Sequence, residues 1–217
     1  MAAGDGSPTG IAGTIRAVTS TGRQGAYYLP LHDESRALPL LVFLHGTGGK
    51  GSTSLMRLRE IANQEPFIAV APDSVSVAGA WLVGSRASTE DHRHVMESVR
   101  EVLALPGVRV DRARVLIAGF SIGGAAAASL ASHEDVFCAF AILHGHVMVE
   151  DLGPRRVRGW LSTGDRDRLR SVAQIRSLAD VLTRQKGFPA IETRTFRTDH
   201  TLGEEELTSL VAWWLHR

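Results

Sequence analysis

The 217-residue chain, in which 44% of the residues are hydrophobic and 22% are charged, has an ordinary globular composition and the length of one domain. Its formal net charge is +1 and its basic residues are scattered, which excludes nucleic acid as an expected partner. The single cysteine, Cys138, excludes an internal disulfide bond.

The beginning of the chain has no feature of a targeting or membrane-spanning segment. Residues 1–30 lack a basic start followed by a long apolar stretch, so the sequence predicts no membrane span and a cytoplasmic location. A mature secreted protein given a new Met1 would show the same pattern. Residues 1–10 are rich in Gly, Ala, Ser and Pro and are expected to be flexible, whereas residues 11–217 are expected to form a single domain.

Short apolar runs predict eight β-strands. They lie near residues 11–18, 26–29, 40–44, 67–71, 115–120, 137–143, 157–162 and 191–196. Most of these runs are continuous rather than alternating, which is typical of parallel strands buried on both faces of a sheet. The first two runs are shorter and more polar and predict an antiparallel edge.

Helical patterns separate the later strands. Residues 88–103 place apolar side chains on one face, and Ser88 and Asp91 have the spacing of a capping box. Ser171 and Gln174 have the same spacing before another helix, and a last helix is expected over residues 204–215. Strands that alternate with helices predict a doubly wound α/β fold, with helices on both faces of a mostly parallel eight-stranded sheet.

Residues capable of chemistry follow four of the predicted strands. Residues 119–123 read Gly-Phe-Ser-Ile-Gly, which fits the Gly-x-Ser-x-Gly pattern of a nucleophile elbow around Ser121. A glycine-rich turn covers residues 45–49, the segment 162–167 contains two aspartates, and His200 precedes the last helix. Ligands of such sheets gather at the carboxyl ends of the strands, so these turns are expected to meet.

The four turns, in the order glycine turn, serine, aspartate and histidine, resemble the α/β-hydrolase family. The resemblance covers nearly the whole chain and is greatest with the carboxylesterase, dienelactone hydrolase and acyl-protein thioesterase branch. The stretch from Trp81 through Asp91 to residues 110–114 also resembles depolymerase-type and feruloyl-type esterases. The resemblance implies a Ser…Asp…His triad and an oxyanion hole formed by the backbone N–H groups of Ile122 and Thr47.

The chemistry of the triad explains these residue types. A serine hydroxyl is a weak nucleophile, so His200 is expected to take the proton of Ser121 while an aspartate orients the imidazole. Two aspartates compete for that role. Asp167 lies three residues after Gly164, as in the Gly-x-x-Asp loop of the family, whereas Asp165 directly follows the strand. The spacing favours Asp167.

Other side chains are candidates for the pocket or for a metal site. His45, Trp81, His144 and His146 follow or flank the predicted strand ends and are expected near the substrate. His45 is expected to brace the glycine turn rather than to react, and for Trp81 the alternative is an ordinary place in the core. The pair His92 and His94 is expected on a solvated helix face rather than in a ligand set, so no metal and no organic cofactor are predicted.

Only residues 144–156 separate two of the predicted strands at the position where the family commonly inserts a lid. The sequence therefore predicts an open site without a lid domain, suited to short or aryl esters or to a large polymeric ester. The leading hypothesis is a serine carboxylic-ester hydrolase that works through an acyl-enzyme. Thioesterase, lactonase and polyester depolymerase activities remain alternatives, as does a non-catalytic binding protein on the same fold.

Overall fold

The computed structural model describes residues 10–82 and 89–216. Within them lie eight strands and five α-helices. The strands are β1 (Ile11–Thr14), β2 (Gly25–Leu29), β3 (Leu38–Leu44), β4 (Ile68–Pro72), β5 (Val110–Phe120), β6 (Ala139–Leu143), β7 (Arg158–Gly164) and β8 (Ile191–Phe196). The helices are α1 (Gly51–Gln64), α2 (Glu90–Leu103), α3 (Ile122–His133), α4 (Val172–Asp180) and α5 (Glu204–Leu215).

All eight strands form one sheet in the order β1-β2-β4-β3-β5-β6-β7-β8. The β1–β2 and β2–β4 pairs are antiparallel, and the five pairs from β4–β3 to β7–β8 are parallel. The predicted fold class, including the antiparallel edge, is confirmed. The carboxyl ends of β3, β5, β6, β7 and β8 consequently lie side by side, and the turns that follow them share one edge of the sheet.

Helices cover both faces of the sheet because the buried strands are apolar on both sides. One core cluster joins the sheet to α2, α3 and α4, and a second cluster on the other face joins it to α1 and α5. Helix α1 was not predicted from the sequence, although its buried Leu55, Leu58, Ile61 and Ala62 recur at helical spacing. Among the described residues, no helix is long and apolar enough to cross a membrane.

Two local predictions are wrong. Strand β1 ends at Thr14 rather than at residue 18, because the carboxylate of Glu101 on α2 accepts the backbone N–H groups of Arg16 and Ala17 at 2.7 and 3.0 Å. Thr89, not Ser88, caps α2, and its hydroxyl accepts the backbone N–H of His92. Ser88 lies outside the described residues.

Asp91, the other member of that predicted capping box, binds backbone groups outside α2. Its buried carboxylate accepts the backbone N–H groups of Val75 and Leu82, each at 2.6 Å, and so fastens the chain after β4 to α2. The second predicted capping box, between Ser171 and Gln174, is confirmed at the start of α4.

Candidate active site

Ser121 occupies a sharp turn between β5 and α3. Its backbone has φ +54° and ψ −120°, a conformation that a residue with a side chain rarely adopts, and its N–H donates to the Leu143 carbonyl at 2.8 Å. The flanking glycines are required by contact distances. A Cβ atom on Gly119 would lie 2.1 Å from the Gly123 carbonyl oxygen, and one on Gly123 would lie 2.4 Å from that of Leu44. The Gly-x-Ser-x-Gly pattern therefore encodes a strained, closely packed elbow.

The turns after β5, β7 and β8 bring three predicted residues together. The Nε2 atom of His200 lies 3.1 Å from the Ser121 Oγ, and its Nδ1 atom lies 2.8 Å from Oδ2 of Asp167. Because an ionised carboxylate only accepts hydrogen bonds, Nδ1 carries the proton and Nε2 is free to accept the serine O–H. This geometry is that of a nucleophile, a base and a group that orients the base.

The two aspartates that the sequence left in competition lie in different environments. The side chain of Asp165 is 46% exposed, and its carboxylate faces Arg166 at 3.6 Å. Asp167 is buried, and its Oδ1 accepts the backbone N–H groups of Leu169 and Arg170 at 2.8 and 2.9 Å. The contact with His200 is thus made by Asp167, the residue that the spacing favoured.

Asp167 is held as a carboxylate. Burial raises the pKa of Asp167, but hydrogen bonds from His144, the Arg170 backbone, His200 and the Leu169 backbone outweigh it and lower the pKa to about 2. The group is therefore ionised at neutral pH and can accept N–H donors continuously.

His144 was expected at the rim of the pocket, but the structure places it beneath the site. Its side chain is fully buried at the end of β6, with Nδ1 2.8 Å from Asp167 Oδ2 and Nε2 3.1 Å from Oε2 of Glu206. The other oxygen of Glu206 accepts the Ser162 O–H at 2.5 Å. Burial lowers the pKa of His144, but the carboxylates of Glu206 and Asp167 raise it further, so the net shift is upward.

Sequence reasoning missed Glu206 altogether. It is one of three acids in the first turn of α5, where negative charge is favourable for any helix, so its type carried no special signal. The apolar residues around it gave the only available indication, because a glutamate flanked by core positions of an amphipathic helix faces inward. Glu206 is 1% exposed, whereas Glu204 and Glu205 are exposed.

His45 and Trp81 support the glycine turn from below, as expected for His45 in the role of a brace. The backbone N–H of Ser74 donates to Nε2 of His45 at 3.0 Å, so the proton lies on Nδ1, which donates to the Gly46 carbonyl at 2.8 Å. Trp81 donates its indole N–H to the His45 carbonyl at 2.7 Å. Burial lowers the pKa of His45, which keeps this brace neutral.

Within residues 10–82 and 89–216, neither of the two backbone N–H groups assigned to the oxyanion hole has a competing acceptor. Ile122 is the first residue of α3, so its N–H has no acceptor within the helix. Thr47 is exposed at the tip of the glycine turn, where the neighbouring N–H groups of Gly48 and Gly49 donate to Ala78 and Gly46. Across the described part of the chain, no acceptor faces the Thr47 N–H.

Beside His200 the surface opens into a shallow cleft. It encloses about 800 Å³ and is lined by the turns after β7 and β8, residues 165–169 and 198–201. Leu169 is 62% exposed at its wall.

His146, the remaining predicted pocket residue, is exposed after β6. The remaining burial of its ring and the nearby Arg170 lower its pKa. Between β6 and β7 the chain forms only a short 3₁₀ turn, Val149–Asp151, and no lid.

Two histidine groups bear on the possibility of a metal site. His144, Asp167 and His200 present ligand atoms within 4.8 Å of one another. Both imidazoles, however, approach the same carboxylate oxygen at 2.8 Å, which is the distance of N–H···O bonds.

The prediction of a solvated face for His94 is wrong. Its ring lies on the buried face of α2 and contacts the Gln24 carbonyl at 2.8 Å, while His92 pairs with Glu134.

A scan against protein-family models and a comparison with curated protein sequences find no match. Solved structures do match. The fluorophosphonate-binding serine hydrolase FphF of Staphylococcus aureus is 14% identical, with a TM-score of 0.73 over 95% of this chain and 99% of its own. A ferulic acid esterase is 18% identical (TM-score 0.68, 94% of each chain), and a Bacillus cereus carboxylesterase is 22% identical (TM-score 0.62, 84% of this chain and 89% of its own). The chain has the α/β-hydrolase fold.

Proposed function

We propose that the chain is a serine hydrolase that cleaves carboxylic esters through an acyl-enzyme. The observation that carries the proposal is the position of His200, whose two ring nitrogens lie 3.1 Å from the Ser121 Oγ and 2.8 Å from Asp167 Oδ2. A strained elbow under the serine supports the same conclusion, because backbone strain of this kind persists where it serves chemistry.

The first half of the reaction transfers the acyl group to the enzyme. Nε2 of His200 takes the hydroxyl proton as Ser121 Oγ attacks the ester carbonyl, and the negative charge on the carbonyl oxygen is accepted by the N–H groups of Ile122 and Thr47. The imidazolium formed on His200 is stabilised by the carboxylate of Asp167. His200 then returns the proton to the leaving alcohol as the carbon–oxygen bond breaks, which leaves an ester on Ser121.

The second half repeats these steps with water. His200 takes a proton from water, the resulting hydroxide attacks the acyl carbon, and the tetrahedral intermediate expels Ser121 Oγ, which recovers its proton from His200. Each N–H donor of an oxyanion hole is worth about 10²–10³ in rate, and the start of α3 adds the favourable field of a helix N-terminus.

The shape of the site favours substrates that reach it from open solvent. The 800 Å³ cleft is bounded by two surface turns, and the connection between β6 and β7 is too short to cover it. We assign short-chain or aryl carboxylic esters as the substrate class, and thioesters, lactones and polyesters use the same machinery. Ferulic acid esterase and carboxylesterase are among the proteins of similar structure. A pure binding role would leave the strain at Ser121 unexplained.

A fluorophosphonate probe followed by a hydrolysis screen tests the proposal. The wild-type protein is expected to gain one covalent phosphonyl group, detected by intact-protein mass spectrometry, and to hydrolyse p-nitrophenyl acetate. Ser121→Ala is the matched control and is expected to lose both properties while keeping its circular dichroism spectrum. Hydrolysis by Ser121→Ala within about tenfold of wild type would contradict the acyl-enzyme. A series of acyl lengths, thioesters and lactones then identifies the substrate class.

A further inference from the structure

A second buried histidine and a buried glutamate extend the hydrogen-bonded chain beyond Asp167. The contacts run from Ser121 through His200, Asp167 and His144 to Glu206 without interruption, and every nitrogen–oxygen distance in the chain is 3.1 Å or shorter. His144 and His200 donate to the same oxygen of Asp167, and their rings meet edge to face with centroids 5.6 Å apart.

The protonation of His144 follows from its partners. The charged or titratable groups that face its ring are Asp167 from the turn after β7, Glu206 from α5 and His200 from the turn after β8. Both of its nitrogens point at carboxylate oxygens, which accept but do not donate when ionised. A proton on each nitrogen satisfies both contacts, and that makes the ring a cation between two anions.

The cation strengthens the hold on Asp167. Its Nδ1–H donates to the carboxylate oxygen that also faces His200, and a charged donor forms a stronger hydrogen bond than a neutral one. The ring therefore fixes the carboxylate that orients the base.

We propose that His144 is a positioning residue of this active site: held as a cation between Asp167 and Glu206, it aims the Asp167 carboxylate at His200. The inference rests on the proposed hydrolase function of the same site. Its consequence is that kcat depends on Glu206, a residue that contacts neither Ser121 nor His200.

Glu206→Gln tests this role with little change in shape. Ser162 still donates to the amide oxygen, so the amide NH₂ group faces Nε2 of His144 and requires that nitrogen to be unprotonated. The ring becomes neutral, while its Nδ1–H still donates to Asp167. We expect kcat for p-nitrophenyl acetate to fall about tenfold while KM stays within about twofold of wild type, because Asp167 exchanges a charge-assisted hydrogen bond for a neutral one.

Glu205→Gln is the matched control, because it removes the same charge from the same turn of α5 at an exposed position. It is expected to leave kcat within about twofold of wild type, as exposed charges are screened. A Glu206→Gln kcat that coincides with that of Glu205→Gln would overturn the proposal. A rise in KM or a loss of folded protein that accompanies the fall in kcat would also overturn it, since a merely structural role predicts that result.

Nitrogen-15 NMR of the histidine side chains provides a readout that does not depend on activity. Wild-type His144 is expected to show two protonated ring nitrogens at pH 7 and the Glu206→Gln variant only a protonated Nδ1. A neutral His144 ring in the wild-type protein would overturn the proposal even where hydrolysis is observed. Absence of both hydrolysis and fluorophosphonate labelling in the wild type would instead refute the proposed function, and the NMR signal would still decide the charge of His144.

Discussion

Replacing Asp167 by asparagine changes one oxygen to an NH₂ group. The substitution should abolish most of the activity while the side chain keeps its size and place. The backbone N–H groups of Leu169 and Arg170 hold an acceptor at the Oδ1 position, so the amide oxygen takes that position. The NH₂ group then replaces Oδ2, the atom to which both His144 and His200 donate. The NH₂ group would then face an N–H donor at both contacts, so His200 must move its proton from Nδ1 to Nε2 and His144 must lose its Nδ1 proton.

The expected magnitudes follow from these contacts. In the new tautomer the Nε2 atom of His200 carries a proton toward Ser121 and cannot act as a base, which for the equivalent serine-protease change costs about 10⁴ in kcat, or about 5.5 kcal/mol. Asp167 also loses the interactions that lower its pKa from 3.8 to about 2, which are worth on the order of 2 kcal/mol of stability. A protein of this size should then melt about 4–8 °C lower.

The assay compares Asp167→Asn with Asp165→Asn. Steady-state hydrolysis of p-nitrophenyl acetate at pH 8 gives kcat, and thermal unfolding followed by circular dichroism shows that each variant is folded at the assay temperature. Asp165 is exposed and has only a 3.6 Å ion pair with Arg166, so its variant should retain kcat within about twofold. The reasoning fails if a folded Asp167→Asn protein keeps kcat within about tenfold, or if Asp165→Asn is the more damaged enzyme.

Two further outcomes are expected. Ser121→Gly and Ser121→Ala should both abolish hydrolysis, but the glycine variant should be more stable by about 1 kcal/mol in denaturant titrations, because φ +54° strains any residue with a Cβ; equal stabilities would contradict the strain. Since the pKa of Asp167 is lower in the folded protein, its contribution is present above about pH 4 and is lost as the pH falls toward 2. Over that range the unfolding free energy of wild type should therefore drop by about 2 kcal/mol more than that of Asp167→Asn, and parallel pH profiles would refute the assignment.

The parts of the site that the sequence predicted are those set by local backbone geometry. The glycines around Ser121 are needed because the start of α3 contacts the end of β3. That requirement is visible in the five-residue motif at residues 119–123. The position of His200 follows from chain order along a parallel sheet. For the aspartate, spacing gave a preference, and the deciding fact is that Asp167 closes its own turn by accepting two backbone N–H groups, whereas Asp165 points to solvent.

The parts that the sequence did not predict depend on contacts between distant segments. His144 and Glu206 are 62 positions apart, and each has an ordinary local explanation, as a polar residue after a strand and as an acid at a helix start. Trp81 is a candidate for the pocket or the core because it adjoins a strand end, and its indole N–H donates to the His45 carbonyl. Whether a side chain at a strand end faces the substrate or lies buried beneath the site depends on tertiary packing. The hydrophobic periodicity of the sequence does not encode that packing.

Backbone strain connects the two levels of this site. Among the described residues, only Ser121 and His144 combine a side chain with a positive φ, +54° and +53°. They follow the neighbouring strands β5 and β6, and the N–H of Ser121 donates to the carbonyl of Leu143, the residue before His144. One strained turn presents the serine oxygen to His200, and the other presents an imidazole to Asp167. Strain costs of order 1–3 kcal/mol at each position, and buried ionic groups seldom add stability, so neither turn is explained by folding alone. Both costs fall on residues that converge on the Asp167–His200 pair, which is where a hydrolase needs fixed geometry.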